Sequence, residues 1–119
     1  MSTVATKWPP ARRRQRAPAP PRQAPRQHIE TLADTFGVMS DPTRLRIIQA
    51  LSHGETRVGD LAGLIGLSPS AVSHQLRLLR AHRLVGHRRD GRAAYYHLED
   101  EHILSLFQQA LEHVKETQP

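Results

Sequence analysis

The chain has 119 residues, 38% hydrophobic and 24% charged, with a formal net charge of +6 and no cysteine. That length suits one domain with a small core, and the absence of thiols excludes disulfides and thiolate metal sites. No apolar run approaches the ~20 residues of a membrane span and no signal-peptide core is visible, so the cytoplasm is the expected compartment.

The charge is unevenly spread. Residues 1–26 carry seven cations (Lys7, Arg12, Arg13, Arg14, Arg16, Arg22, Arg26), six prolines and no acid. Such a stretch has no apolar face to bury, which predicts a disordered tail ahead of a folded domain over 27–119. The other 93 residues hold ten cations and eleven acids, yet residues 68–97 hold six arginines against Asp90 alone. One basic face on an otherwise acidic domain suits a nucleic-acid partner.

The first predicted helix spans 28–39, with Ile29, Leu32, Ala33 and Phe36 on one side. Asp41 caps a second helix with Pro42 at its first position; Leu45, Ile47, Ile48 and Leu51 supply core, and Gly54 ends it. Residues 57–65 form a third short helix. Only Gly66-Leu67-Ser68 separate it from the next, which is helix-turn-helix spacing.

That next helix organises the chain. Ser68 is its N-cap, Pro69 opens it, and Val72, Leu76 and Leu79 face inward. Ser70, Ser73, His74 and Arg77 fall on the other side, with no acid among them. Small hydrogen-bonding groups and a cation suit base edges and phosphates. Ser70, Ser73, His74, Gln75 and Arg77 are therefore candidate groove contacts. Strands over 84–89 and 93–98 flank the turn signal Asp90-Gly91. Arg88, Arg89 and Arg92 on this hairpin are candidate phosphate contacts. The fold class is thus mainly α with a β-hairpin, a winged helix-turn-helix.

The last helix, over 99–115, has an apolar stripe of Ile103, Leu106, Phe107, Ala110, Leu111 and Val114, wide enough to pack on another helix. It also carries Asp100, His102, His113 and Glu116, all metal-ligand types. His102 and His113 share a face but lie about 16 Å apart along a helix, against ligand bonds of roughly 2 Å. One helix cannot bring both to one ion. Two antiparallel copies can, giving two sites per dimer, provided Asp100 sits at the non-helical entry to the helix. Acids near the helix N-terminus, such as Asp100, and His113 near the C-terminus also complement the helix dipole, which is the bland alternative.

The chain resembles the ArsR/SmtB family of bacterial metal-responsive repressors, and its zinc-sensing SmtB branch in particular. The resemblance covers residues 35–116. It is carried by Ser40-Asp41-Pro42-Thr43-Arg44-Leu45-Arg46-Ile47, Asp60-Leu61-Ala62, Leu67-Ser68-Pro69-Ser70-Ala71-Val72-Ser73-His74-Gln75-Leu76, Arg89-Asp90-Gly91-Arg92 before Tyr95-Tyr96, and the two ends of the last helix. It implies a homodimer joined by first and last helices, an inverted-repeat DNA operator, and repression released by metal. It also implies an interfacial site of Asp100 and His102 from one protomer with His113 and Glu116 from the other. Such an all-N/O tetrahedral set favours Zn(II), with Co(II) as a mimic. A second family site uses cysteines where this chain has Thr56-Arg57-Val58-Gly59-Asp60, so that site is absent.

Other readings keep the scaffold but change the inducer, to nickel or cobalt or a non-metal ligand. A metallohydrolase is disfavoured because four protein ligands leave no open position for water. A protein-binding winged helix is disfavoured by the basic face. No organic cofactor or membrane partner is expected.

Overall fold

The computed structural model describes residues 22–118. The tail expected over 1–26 lies outside the described residues as far as residue 21. Eight elements follow: α1 (Arg26–Met39), α2 (Pro42–Leu51), β1 (Thr56–Arg57), α3 (Val58–Ile65), α4 (Pro69–Ala81), β2 (Val85–Asp90), β3 (Ala93–Leu98) and α5 (Glu101–Thr117). Helix α1 starts two residues before the apolar spacing indicates. Arg26 joins its first turn and pairs with Glu30 at 3.2 Å, one turn on.

The caps that organise the helix-turn-helix are made as the residue types dictate. Asp41 Oδ2 accepts from Arg44 N–H at 3.0 Å, and Ser68 Oγ accepts from Ala71 N–H at 3.1 Å. Gly66 takes φ +84 to end α3 and turn the chain into α4. Helix α4 ends in a Schellman motif: Leu84 N–H donates to Leu79 O at 2.9 Å and Arg83 N–H to Arg80 O at 3.0 Å. This places Arg83 at φ +57, where glycine is the usual occupant. Burial of both Leu79 and Leu84 offsets that strain.

The sheet has three strands in the order β1-β3-β2. The wing hairpin runs from Val85 opposite Leu98 to Asp90 opposite Ala93, leaving Gly91 and Arg92 as the turn. Gly91 supplies the φ of +65 that a two-residue turn needs. Strand β1 is an addition to the sequence reading, which placed Arg57 in a helix. Thr56 and Arg57 pair with Tyr96 and Tyr95.

The core joins Ile47, Ile48 and Leu51 of α2, Leu61 and Ala62 of α3, Val72, Leu76 and Leu79 of α4, and Leu84 and Val85 entering the wing. Helix α1 adds only Met39, and α5 has no buried residue. Ile29, Leu32 and Phe36 on α1 and Leu106 and Val114 on α5 instead stay exposed, at 36–52%. Phe36, Met39, Leu45, Leu106, Phe107 and Ala110 line an apolar hollow of about 230 Å³ where α1 and α2 meet α5. Among the described residues no helix is long and apolar enough to cross a membrane.

Two substitutions calibrate this seam. Leu76→Ala should cost roughly 2–5 kcal/mol in urea unfolding, since it empties a fully buried site between helices. Ser68→Ala should cost about 1 kcal/mol through loss of the cap alone, with a near-native far-UV spectrum.

Candidate nucleic-acid interface and metal centre

Helix α4 presents its polar side as its caps and apolar face require. With Val72, Leu76 and Leu79 buried, Ser70, His74 and Arg77 are exposed and Ser73 is half-buried at the edge of that face. Gln75, also a candidate groove contact, lies apart from these side chains. It sits on the flank nearest the core, and its Oε1 accepts from Arg44 Nε at 2.8 Å. A 100° step per residue places it about 60° from Val72, so it belongs beside the apolar face rather than opposite it.

The wing arginines also divide. Arg89 and Arg92 are exposed and line, with Arg57, Val58 and Gly59, an open groove of about 630 Å³ between the wing and the start of α3. Arg57 was not among the candidates read from sequence. Arg88 is committed elsewhere: its Nε donates to both Glu55 carboxylate oxygens at 3.0 Å, and its guanidinium lies 4.9 Å from the Tyr95 ring centre. The bond from Arg88 holds the Glu55 carboxyl below the ordinary range, and Glu55 in turn raises Arg88. The pair is one neutral unit at pH 7. Desolvation first, then the neighbouring Arg80 and Arg89, lower the exposed His87 from the ordinary imidazole range.

The metal-ligand residues fall in two groups at the two ends of α5. Asp100 is the N-cap, with extended backbone at φ −159 and ψ −178, outside the helix proper. Its Oδ1 accepts from Ile103 N–H at 3.2 Å. Its Oδ2 lies 3.5 Å from His102 Nδ1. The cap geometry thus brings together two side chains that a regular helix would splay. The Ile103 bond, and secondarily His102, hold the Asp100 carboxyl below its usual range, so it is ionised at neutral pH. At the far end His113 and Glu116 line a shallow hollow of about 300 Å³ with Gln108, Gln109 and Glu112. Among the described residues no three His, Asp or Glu side chains of one chain are grouped to hold a metal ion. The donor types still fit Zn(II), as two halves requiring a second copy.

Comparison with known proteins bears on both features. The family described as "Bacterial regulatory protein, arsR family" matches residues 41–86. The transcriptional repressor SmtB homolog of Synechocystis sp. is 46% identical over 88 residues, covering 74% of this chain and 67% of that protein. The chain belongs to the ArsR family. A cadmium resistance regulatory protein CadC homolog of Staphylococcus aureus is 38% identical over 92 residues, covering 76% of each. The homodimeric winged helix-turn-helix DNA-binding domain of Mb0332 from Mycobacterium bovis superposes with a TM-score of 0.74 at 27% identity, covering 80% of this chain and 90% of that one. This ArsR-family chain is accordingly a DNA-binding transcriptional regulator of the ArsR/SmtB type, and not an enzyme.

What the sequence missed were partners distant in the chain. Glu55 and Arg88 are 33 residues apart and Arg44 and Gln75 are 31 apart, so no local spacing signals either pair.

The charge ledger of the wing can be tested by the salt dependence of DNA binding. Arg89→Ala and Arg92→Ala should each lower the slope of log K against log salt by about 0.9. Arg88→Ala should change it far less, because its guanidinium is bonded to Glu55 rather than to a phosphate. Glu55→Gln should steepen the slope by freeing Arg88.

Proposed function

We propose that this ArsR-family chain is a homodimeric repressor that binds an inverted-repeat operator when metal-free and is released by Zn(II), with Co(II) as a substitute. The observation that carries the reading is Asp100. As N-cap it turns one carboxylate oxygen towards His102 while the other holds the helix start.

The dimer follows from the apolar surface. Ile29, Leu32 and Phe36 with Leu106 and Val114 form an exposed stripe along α1 and α5 that a monomer leaves wet. A two-fold interface there sets α5 antiparallel to its copy and brings Asp100 and His102 of one subunit to His113 and Glu116 of the other. When bound, the ion supplies a positive centre shared by two carboxylates and two imidazoles from both subunits. Asp100 is ready for that role because it is already ionised.

For operator binding, Ser70, Ser73, His74 and Arg77 face the major groove, and Arg89 and Arg92 hold the phosphate backbone. Arg57, beside them in the groove at the start of α3, joins that set. The dimer has two arrangements of its recognition helices, and ligands on α5 favour the one that does not match the half-site spacing. By linkage, operator DNA weakens metal binding by the same factor.

The direct test is fluorescence anisotropy on DNA from upstream of the gene, at fixed salt, first with chelator and then with zinc. Tight binding that weakens by about tenfold or more with zinc supports the reading. Tight binding indifferent to zinc, cobalt and nickel leaves the repressor and removes the metal.

The shared site has its own signature. A doubly substituted Asp100→Ala/His102→Ala chain and a His113→Ala/Glu116→Ala chain should each bind no zinc at α5. Refolded together in equal amounts, half the dimers are mixed, and each has one intact site. About one quarter of wild-type zinc capacity should return. No recovery in demonstrably mixed dimers would refute sharing between subunits.

A further inference from the structure

Arg44 makes three bonds to three different parts of the fold. Its backbone N–H donates to Asp41, the cap of α2, at 3.0 Å. Its Nη1 donates to the Val38 carbonyl near the end of α1 at 3.2 Å, and its Nε to Gln75 Oε1 on α4 at 2.8 Å. Both side-chain bonds are part-buried. A guanidinium can only donate, so the atom it meets on Gln75 must be the amide oxygen. The contacts otherwise holding α4 are apolar: Val72, Leu76 and Leu79 against α2 and α3. Apolar contact is non-directional and lets a helix roll or slide on its seam. The bond to Gln75 is charge-assisted and directional, so it fixes what the seam leaves free.

We propose that Arg44 and Gln75 are positioning residues for operator recognition. The guanidinium locks the recognition helix to the end of α1, and Gln75 serves that lock rather than touching DNA. The inference rests on the dimeric repressor reading above. In a dimer built on α1 and α5, the separation of the two recognition helices depends on the angle between α1 and α4 in each subunit. Two half-sites one helical turn apart tolerate little error in that separation. Arg44 spans that angle.

The experiment uses the full chain and an operator that the wild-type protein selects from random duplex DNA. Affinity is measured at one salt concentration on that operator, on copies with one base pair inserted or removed at the dyad, and on an unrelated duplex. Gln75→Leu and Arg44→Met should each weaken operator binding by about tenfold or more, flatten the preference over the spacing copies, and leave the unrelated duplex within about twofold. The double variant should be no worse than the poorer single one, because both remove the same bond. Gln75→Glu should stay within about threefold of wild type, since a carboxylate oxygen still accepts from Arg44.

If Gln75 contacts DNA, the result inverts. Gln75→Glu then falls at least as far as Gln75→Leu, and the Arg44 and Gln75 losses add. Either outcome overturns the proposal. Should Arg44→Met fail to fold, the Gln75→Leu and Gln75→Glu pair still decides it. Wild-type protein that selects an operator, with all variants unchanged, sinks this inference alone. Wild-type protein that selects no sequence sinks the repressor reading and this inference with it.

Discussion

The seam where Leu76 and its neighbours on α4 meet Ile47, Ile48 and Leu61 carries the rest of the molecule. Eleven buried hydrophobic side chains form this one core among the described residues, and most lie on α2, α3 and α4. A core of this size leaves little margin, because small domains bury a smaller share of their surface. It holds the helix-turn-helix and the root of the wing. It reaches α5 only through the partly buried Ile103 and Phe107, and no residue of that helix is fully buried. The chain therefore folds its DNA-facing half around itself and leaves its other half with unburied apolar surface.

The polar side of α4 faces outward because its opposite side is buried, and the bond from Arg44 to Gln75 adds direction to that packing. The candidate metal ligands sit instead on α5, which has no fully buried residue.

Much of this was legible in the sequence, and the reasons differ by element. Caps announce themselves locally: Asp41-Pro42 and Ser68-Pro69 mark helix starts, and Gly66 and Gly91 sit at positive φ where the chain must turn. Apolar spacing located the buried faces of α2 and α4, except that Leu45, expected in the core, is exposed towards the hollow beside α5. Asp100 was legible too, since only an N-cap reconciles it with His102 two residues later. Strand β1 was not, because two residues become a strand only through Tyr95 and Tyr96 some forty positions on. The intramolecular partners of Gln75 and Arg88 were not legible either, for the same reason. Each looked free by its own helix or strand position, and each is occupied by a residue more than thirty positions away. Local physics fixes which way a side chain can point, and only the tertiary fold decides what meets it.

The double use of Asp100 has a consequence for which cations this helix can tolerate. One carboxylate oxygen is spent on Ile103 N–H, closing the first turn of α5, and the other is turned to His102. A small tetrahedral ion asks for a single oxygen and leaves the turn closed. A large, hard cation such as calcium prefers to straddle a carboxylate with both oxygens. To do so here it would have to take the first oxygen from Ile103 and fray the start of α5. In the proposed site, the closed first turn of α5 would thus disfavour an ion that demands both oxygens of Asp100.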